Sequence, residues 1–309
     1  MNETIRAATV SERTVIPRDT STIVRLLTRA ALLAALLPVV AQAQGRAECR
    51  VVPSAILKRS VRYCVLLPPG FDADKTRRFP IVYYLHGLGD NEQSLLNSGG
   101  WDLVEQLREQ KNISELVIAT PDAGRSFYVN SRDGKELYED FFIKEFVPAI
   151  EKRYRAGGSR AARAIGGFSM GGYGALRFAF RYPQMFASVA VHSAALFEDL
   201  PEDATVVFGR NFQAFGTPLD SLFWMQNNPL TLARSAPGLA ALKIYFDCGL
   251  QDDYGFDAGT RVLHETLEKR KIPHEFHLYP GGHTWQYVAE HFDESLGFLS
   301  AALARTGRK

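Results

Sequence analysis

Cysteine is scarce in this sequence, which has three among 309 residues, and no cysteine and histidine spacing resembles a zinc site. Basic residues form no stripe that could follow a phosphate backbone, and the formal net charge is only +2, so we expect no nucleic-acid partner. Internal repeats are lacking as well. The chain has 46% hydrophobic and 23% charged residues and is long enough for one large core, which leaves small uncharged or amphipathic substrates open.

A long membrane-spanning run is also lacking, because the apolar stretch at residues 30–40 is too short to cross a bilayer. Arg25 and Arg29 precede this stretch, and Ala41-Gln42-Ala43 follows it. A basic region, an apolar core and an A-x-A site together indicate an export signal, whereas a buried core helix is the alternative. We therefore expect residues 1–43 to be an N-terminal region with a signal peptide. Residues 44–309 would be a periplasmic or secreted domain with no stable membrane anchor.

Three cysteines follow that cleavage site, Cys49, Cys64 and Cys248. In an oxidising compartment Cys49 and Cys64 could bridge two early strands and leave Cys248 buried. The hairpin between those strands is expected to turn near residues 58–60, which does not place the two cysteines directly opposite each other. The sequence therefore leaves this disulfide open.

Apolar runs typical of buried strands alternate with segments of helical periodicity along the rest of the chain. After an antiparallel pair at residues 50–67, the expected strands are 79–85, 116–120, 162–165, 186–191, 242–247 and 275–279, and the expected helices are 101–108, 138–154, 172–178, 260–271 and 285–303. This alternation predicts an α/β fold in a single domain, with a mostly parallel central sheet and helices on both faces. Residues 197–237 lack strand character and are expected to form a helical or irregular excursion over the sheet's active edge.

The most informative motif is Gly167-Phe168-Ser169-Met170-Gly171, which lies between an apolar run and a helix-like segment. A serine hydroxyl is a poor nucleophile at neutral pH, and a sharp strand-to-helix turn would lift it clear of the sheet. Glycines suit both sides of such a turn, because a Cβ there would collide with neighbouring atoms. We therefore predict a nucleophile elbow with Ser169 at its tip.

An acid and then a base are expected on loops that follow later strands. His283 comes after the last expected strand, beside two glycines, and is the predicted base. Asp252 follows the preceding strand and is the preferred acid, although Asp253, Asp247 and Asp257 stand close by. A carboxylate at this place would orient the imidazole and stabilise its charged form after the serine loses its proton.

Two backbone N–H groups are needed to stabilise an oxyanion, and we expect Leu88 and Met170 to supply them. Leu88 lies in the loop after an early strand, and Met170 directly follows the serine. His86 is expected to shape the same loop rather than to transfer protons. His192 also follows a strand, and we expect it to be a buried histidine with satisfied hydrogen bonds.

These motifs form an ordered set along the chain: His86-Gly87 after Tyr83-Tyr84-Leu85, Trp101, Tyr138-Glu139-Asp140-Phe141, the serine motif, Cys248-Gly249 with Asp252, and Gly282-His283-Thr284-Trp285. The set resembles the putative esterase family, which includes esterase D, S-formylglutathione hydrolase, feruloyl and acetyl-xylan esterases, siderophore esterases and the antigen 85 mycolyltransferases. The resemblance runs from about residue 50 to residue 303. It implies an α/β-hydrolase fold, with Ser169, Asp252 and His283 as catalytic residues and Leu88 and Met170 at the oxyanion positions.

The activity implied is that of an exported serine esterase, which cleaves carboxylic esters through an acyl-enzyme and could act on feruloyl or acetyl esters of carbohydrates. An acyltransferase of the antigen 85 type and a thioesterase similar to S-formylglutathione hydrolase are the alternatives. A non-enzymatic scaffold is not expected, because the serine, the acid and the histidine are all retained.

Aromatic residues near the expected mouth of the site could hold an aromatic acyl group, and they are Trp101, Phe127, Tyr128, Trp224 and Trp285. Of these, Trp101, Tyr128 and Trp285 are the candidate substrate-binding residues. No metal or organic cofactor is expected. The expected partner is a small-molecule or carbohydrate-linked ester, and the oligomeric state is left open.

Overall fold

The computed structural model describes residues 45–200 and 209–303 of the chain. The expected signal peptide, residues 1–43, lies outside the described residues. The strands are β1 Arg46–Ser54, β2 Arg59–Leu67, β3 Ile81–Leu85, β4 Val117–Pro121, β5 Arg163–Phe168, β6 Ser188–His192, β7 Lys243–Gly249 and β8 Glu275–Tyr279. They form one eight-stranded sheet in the spatial order β1-β2-β4-β3-β5-β6-β7-β8.

Most of this sheet is parallel. β1 pairs with β2, and β2 with β4, in antiparallel fashion, while all neighbours from β4 to β8 are parallel. β3, β4 and β6 are buried along their whole length, which explains why they read as continuous apolar runs rather than as alternating patterns. The predicted α/β fold with a mostly parallel sheet is thus confirmed.

Helices cover both faces of the sheet. They are α1 Ser94–Asn97, α2 Gly100–Glu109, α3 Tyr138–Phe141, α4 Val147–Arg153, α5 Met170–Arg181, α6 Ser221–Asn227, α7 Pro229–Ser235, α8 Phe256–Lys269 and α9 Trp285–Ala302, with one π turn at Phe142–Phe146. α2 and α9 pack in the hydrophobic core on one face, and α3, α4, α5, α7 and α8 pack in the core on the other. Among the described residues, no helix is both long enough and apolar enough to cross a membrane.

The entry hairpin corrects one expectation from the sequence. Its turn falls at residues 55–58 and β2 begins at Arg59, so Cys49 pairs directly with Cys64 in the β-ladder. The two cysteines form a disulfide, with their Cα atoms 4.0 Å apart. The expectation that the turn keeps them out of register is therefore wrong, because the turn lies about three residues earlier than residues 58–60. Cys248 is free and buried, as predicted.

The chain order of the strands reverses at β3, which has β4 on one side and β5 on the other. Such a reversal leaves a crevice outside the carboxyl ends of the strands, where ligands bind in open α/β sheets. His86 follows β3 and Ser169 follows β5 at this place. The described part of the excursion at residues 197–237 contains no strand and consists of a 3-10 turn at Gly209–Phe215 followed by α6 and α7, as predicted.

Candidate active site

Ser169 forms the turn between β5 and α5, with φ 58° and ψ −119°. Residues with a side chain rarely adopt this conformation, which is found at sharp functional turns. Two neighbouring positions need glycine because α5 approaches β3 closely. A Cβ on Gly167 would lie 2.6 Å from the carbonyl oxygen of Leu85, and a Cβ on Gly171 would overlap the same oxygen. The Gly-x-Ser-x-Gly spacing is therefore a packing requirement of this turn.

The structure brings Ser169, His283 and Asp252 together in one chain of hydrogen bonds. The Ser169 hydroxyl donates to Nε2 of His283 across 2.9 Å, and Nδ1 of His283 donates to Oδ2 of Asp252 across 2.7 Å. His283 lies in the loop between β8 and α9, and Asp252 lies in the loop after β7. Ser169 and Asp252 are each 8% exposed, so the chain of hydrogen bonds is largely shielded from water.

The Asp252 carboxylate has partners besides His283. Its Oδ1 accepts from the backbone N–H of Tyr254 at 3.0 Å and from that of Phe256 at 3.4 Å. Burial is the largest influence on the pKa of Asp252 and raises it. The hydrogen bond and charge of His283, together with the two backbone bonds, outweigh burial, so the pKa lies below its usual 3.8. These hydrogen bonds keep the Asp252 carboxylate charged at neutral pH.

The other aspartates near Asp252 have different partners. Asp253 accepts the backbone N–H of His283 through Oδ2 at 3.3 Å, so it holds the loop rather than the ring. Asp257 lies 3.8 Å from the guanidinium of Arg261 on the same helix. Among the alternatives left open by the sequence, neither of these carboxylates hydrogen-bonds the imidazole of His283.

The His283 ring is enclosed by three aromatic side chains. Phe168 stacks on it with ring centroids 4.6 Å apart, and Tyr254 and Phe256 contact it edge-on at 4.8 and 5.2 Å. This packing restricts the ring to the orientation in which one nitrogen faces Ser169 and the other faces Asp252.

Leu88 and Met170, the residues expected to supply the oxyanion donors, both line the cavity that contains Ser169 and His283. Met170 is the first residue of α5, so its N–H has no acceptor within the helix. The positive end of the helix dipole lies at the same place. A negative oxygen bound there would therefore be stabilised by both effects.

His86 fixes the loop that carries Leu88. Its Nδ1 donates to the carbonyl of Gly87 at 2.8 Å, and its Nε2 accepts the backbone N–H of Ala123 at 2.9 Å. Burial is the largest influence on the pKa of His86 and lowers it, which agrees with a neutral ring that accepts one bond and donates the other. His86 therefore ties the loop after β3 to the loop after β4, and both of its ring nitrogens are engaged with the backbone.

The cavity around Ser169, which we call the serine cavity, has a volume of about 330 Å³. Its wall is rich in aromatic rings, namely Phe127, Phe168, Phe197, Phe212, Tyr254 and Phe256. Among its lining residues in the described chain, none is lysine or arginine. No group of three His, Cys, Asp or Glu side chains in the described chain is arranged to hold a metal ion. The aromatic rings make the serine cavity suited to an apolar or aromatic group.

The aromatic residues expected from the sequence fall in different places. Phe127 lines the serine cavity, and Trp285 lines a second cavity beside it. Tyr128 lines neither, because it is fully buried and its hydroxyl donates to the carbonyl of His86 at 3.0 Å. Trp224 is buried in the core.

Trp101 also lies away from both cavities. It belongs to α2, where the guanidinium of Arg108 lies 5.9 Å from its ring and a Cβ on Gly45 would lie 2.9 Å from its ring edge. Trp101 therefore packs against the start of β1. As substrate-binding candidates, Trp101 and Tyr128 are not supported by their positions, since packing and an internal hydrogen bond account for them.

Five aromatic residues of the serine cavity are absent from the sequence-based candidates: Phe168, Phe197, Phe212, Tyr254 and Phe256. Three of them carried a usable signal, because Phe168 precedes the serine and Tyr254 and Phe256 closely follow the acid. Phe197 and Phe212 belong to the excursion between β6 and β7. No periodic pattern in that segment indicates which side chains face the cavity.

A second set of serine, histidine and aspartate lies behind the elbow. His192 approaches Asp247 within 2.8 Å through Nδ1 and Ser295 within 2.8 Å through Nε2. The Ser295 hydroxyl also lies 3.1 Å from the carbonyl oxygen of Phe292. His192 is completely buried and satisfied, as predicted.

The chain is similar to known proteins over most of its length. Residues 54–299 match the family described as Putative esterase. Esterase Rv1288 of Mycobacterium tuberculosis (strain ATCC 25618 / H37Rv) is 31% identical over 249 residues, which cover 72% of this chain and 52% of that protein. An acetyl esterase of Caldicellulosiruptor saccharolyticus is 28% identical over 260 residues, which cover 78% of this chain and 94% of that protein. The chain thus spans about half the length of the mycobacterial esterase.

Solved structures share the fold. A ferulic acid esterase superposes with a TM-score of 0.74 at 27% identity, covering 84% of this chain and 99% of that one. An S-formylglutathione hydrolase from Agrobacterium tumefaciens superposes with a TM-score of 0.69, covering 85% of this chain and 97% of that one. At 19% identity, the similarity to the S-formylglutathione hydrolase shows a shared fold only. The sheet and these superpositions together confirm the predicted α/β-hydrolase fold.

Proposed function

This chain belongs to the putative esterase family, and we propose that it is a serine esterase that hydrolyses carboxylic esters through an acyl-enzyme on Ser169. One observation carries the proposal. The Ser169 hydroxyl donates to His283, which in turn donates to Asp252, at a sharp turn beside a cavity. That arrangement activates a serine as a nucleophile.

In the first half of the reaction, Oγ of Ser169 attacks the ester carbonyl carbon while Nε2 of His283 takes the serine proton. Asp252 stabilises the imidazolium that forms. The carbonyl oxygen becomes an oxyanion and accepts hydrogen bonds from the N–H groups of Leu88 and Met170. The intermediate then collapses, the bond to the alcohol oxygen breaks, and that oxygen takes the proton from His283. The acyl group remains on Ser169.

Water completes the reaction by the same steps. His283 takes a proton from water as the water oxygen attacks the acyl carbon, and a second oxyanion forms at Leu88 and Met170. Collapse breaks the bond to Oγ of Ser169, which recovers its proton from His283. The products are the carboxylic acid and the free enzyme.

The serine cavity supports an apolar or aromatic acyl group. Its aromatic wall offers stacking surfaces for such a group. The described lining residues include no lysine or arginine that could pair with an anion. We propose feruloyl or acetyl esters of carbohydrates as substrates, in keeping with the ferulic acid esterase and the acetyl esterase to which the chain is similar.

The test is hydrolysis of p-nitrophenyl esters from acetate to decanoate and of methyl ferulate, with the protein from Gln44 onward and its Ser169→Ala variant. We expect hydrolysis that disappears in the variant. Activity on methyl ferulate would assign an aromatic acyl group, and activity on short esters alone would assign a general carboxylesterase. Equal, negligible rates from both proteins would sink the proposal. Product analysis with an added sugar acceptor distinguishes transfer from hydrolysis.

Ser295 provides a matched control, because it also bonds to a histidine that contacts an aspartate. A fluorophosphonate probe reacts only with an activated, accessible serine. We expect the wild type and Ser295→Ala to be labelled and Ser169→Ala to remain unlabelled. Labelling that depends on Ser295 instead of Ser169 would contradict the proposal that Ser169 is the nucleophile.

We also propose that the protein is exported and acts in the periplasm or outside the cell. The basic and apolar pattern before Gln44 supports this, and so does the Cys49–Cys64 disulfide, since such bonds persist in oxidising compartments. Fractionation of cells that express the full chain, followed by N-terminal sequencing, tests the proposal. We expect mature protein beginning at Gln44 outside the cytoplasm, and uncleaved protein confined to the cytoplasm would refute export.

A further inference from the structure

The two proposed oxyanion donors belong to different segments, because Met170 begins α5 and Leu88 lies in the loop after β3. An oxyanion is stabilised fully only when both N–H groups lie within about 3 Å of the same oxygen. The spacing between the helix and the loop must therefore be held fixed. Tyr128 lines neither cavity, yet its ring contacts the helix and its hydroxyl contacts the loop.

The hydroxyl of Tyr128 holds the loop where it leaves β3. It donates to the backbone carbonyl of His86 at 3.0 Å, and the whole side chain is buried. Burial is the main cause that raises the pKa of Tyr128 well above its usual value, so the hydroxyl stays protonated and able to donate. The bond is thus made inside the protein, between a permanent donor and a backbone acceptor.

Two successive peptide planes lead from this bond to the N–H of Leu88. The first contains the His86 carbonyl, which accepts from Tyr128, and the second contains the Gly87 carbonyl, which accepts from Nδ1 of His86 at 2.8 Å. Both peptides are trans, so the C=O and N–H of each plane point in opposite directions. Holding the two carbonyls therefore sets the direction of the Leu88 N–H.

The ring of Tyr128 packs against α5 at Gly174. A Cβ on Gly174 would lie 2.5 Å from the ring, so only glycine admits the ring at this distance. Gly174 follows Met170 by four residues, which is about one turn along the same face of the helix. The His86 carbonyl also lies against α5, because a Cβ on Gly171 would be 2.8 Å from its oxygen. One side chain therefore joins the helix that begins with one donor to the loop that carries the other.

The backbone at Tyr128 has a conformation that its residue type disfavours. Phe127 and Tyr128 have φ values of 51° and 57°, in the left-handed region that residues with a side chain rarely adopt. The N–H of Tyr128 donates to Oγ of Ser126 at 3.1 Å, which holds this turn. Such conformations persist where the surrounding structure enforces them, and they are concentrated at functional sites.

We propose that Tyr128 is a positioning residue that sets the spacing and direction of the two oxyanion donors. It neither touches the substrate nor transfers a proton, and it acts through the His86 carbonyl and α5. The inference rests on the proposed ester hydrolysis. A loosened loop would weaken the hydrogen bonds to the oxyanion in the transition state far more than those to the uncharged ester, so the loss should appear in kcat rather than in KM.

The kinetic test uses Tyr128→Phe, which removes the hydroxyl and keeps the ring. We expect kcat for p-nitrophenyl acetate to fall about 10-fold with KM unchanged, which is less than the 10²- to 10³-fold cost of losing a whole donor. Affinity for a trifluoromethyl ketone, which forms a tetrahedral oxyanion adduct on the serine, should fall by a similar factor. If neither kcat nor the ketone affinity changes, the inference is overturned.

Gly174→Ala tests the contact at the helix. The added methyl group would push the ring of Tyr128 away from α5, so kcat and the ketone affinity should fall at least as far as in Tyr128→Phe. Gly297→Ala in α9 is the control for adding a methyl group, because its Cβ would meet no atom within 4 Å. Equal kcat values in a folded Gly174→Ala protein and in Gly297→Ala would contradict the inference. If Gly174→Ala does not fold, Tyr128→Phe decides.

Tyr173 provides a matched control for the lost hydroxyl. It is also buried, and its hydroxyl donates to the backbone carbonyl of Asn227 at 2.8 Å, away from the loop after β3. Tyr173→Phe should lower the unfolding midpoint and keep wild-type kcat. Equal losses of kcat in Tyr173→Phe and Tyr128→Phe would assign the effect to general packing, against the inference.

Failure of the inference can be distinguished from failure of the proposed function. A wild type that hydrolyses no ester would overturn the proposed function and, with it, the role of the two donors. An active wild type whose kcat is matched by Tyr128→Phe would leave the esterase intact and overturn the role of Tyr128 alone.

Discussion

Asp252 and Asp253 are adjacent in the sequence but hold different parts of His283. Asp252 accepts from the ring at 2.7 Å, whereas Asp253 accepts from the backbone at 3.3 Å. Asp252→Asn should therefore lower kcat for p-nitrophenyl acetate by about 10³- to 10⁴-fold, because the ring loses its orientation and the imidazolium loses its counter-charge. Asp253→Asn, which keeps the side-chain shape, should change kcat far less. Equal losses in the two variants would contradict the assignment of the acid.

The pKa of Asp252 also predicts how stability depends on pH. Because the folded-state pKa lies below 3.8, the charged carboxylate stabilises the folded protein. That contribution is complete above the unfolded pKa, about 3.9, and is lost as the pH falls through the folded value. The difference in unfolding free energy between wild type and Asp252→Asn should shrink as the pH falls below the unfolded pKa of the carboxyl group. Urea unfolding over this range measures it, and a difference that grows on acidification would refute the sign.

The residues of the candidate site fall into two groups, those that the sequence pattern could predict and those that it could not. The hydrogen-bonded set was predictable, because its members follow strand ends in a fixed chain order and glycines mark the loops. The aromatic wall was not, since Phe197 and Phe212 lie in a segment without periodicity. Tyr128 and Trp101 line neither cavity, and residue type alone cannot distinguish a ring that faces a cavity from one that is buried beside it.

At the scale of elements, α3 and α5 are joined by a buried ion pair. Glu139 contacts Arg177 at 2.6 Å and accepts from the Tyr182 hydroxyl at 2.6 Å, with both charged side chains almost completely buried. Glu139→Gln leaves the guanidinium without its counter-charge and should lower the unfolding free energy by about 3–5 kcal/mol. The matched control is Glu198→Gln, whose exposed pair with Arg234 should contribute less than about 1 kcal/mol. Similar losses in the two variants would contradict the difference in burial.

Glycine has opposite roles in α5 and α9. A Cβ on Gly171 would overlap the carbonyl of Leu85, while a Cβ on Gly297 would meet no atom within 4 Å. Gly171→Ala should therefore separate α5 from β3, with a loss of about 1–3 kcal/mol and of fluorophosphonate labelling. Gly297→Ala should gain about 0.5–1 kcal/mol from helix propensity and keep its labelling. Chemical denaturation and the probe measure both, and a stable, labelled Gly171→Ala protein would refute the packing argument.

Element type was easier to predict than register. Buried strands and amphipathic helices have their own periods, so nearly every element has a counterpart in the sequence pattern. The entry hairpin shows that the sequence pattern does not determine the pairing register. A shift of its turn by a few residues changes which residues face each other. Cys49 and Cys64 therefore looked misaligned until the strands were paired.

For the molecule as a whole, the sheet separates the disulfide from the candidate site. β1 forms one edge, and β2 and β4 lie between it and β3. The site is built at the carboxyl ends of β3, β5, β7 and β8. An edge hairpin can thus be weakened without moving Ser169, so stability and activity should respond separately to loss of the disulfide.

Cys49→Ser combined with Cys64→Ser tests this separation. The two cysteines are 15 residues apart, and a loop of that length is expected to stabilise the folded state by about 3 kcal/mol through the unfolded chain. The double variant should therefore unfold at lower denaturant concentration and keep wild-type kcat/KM at room temperature. A thiol reductant should bring the wild type to the midpoint of the variant and leave the variant unchanged, which separates the disulfide from other effects of the serines. Loss of activity in the folded double variant would contradict the separation, because it would mean that the hairpin positions the elbow through β2 and β4.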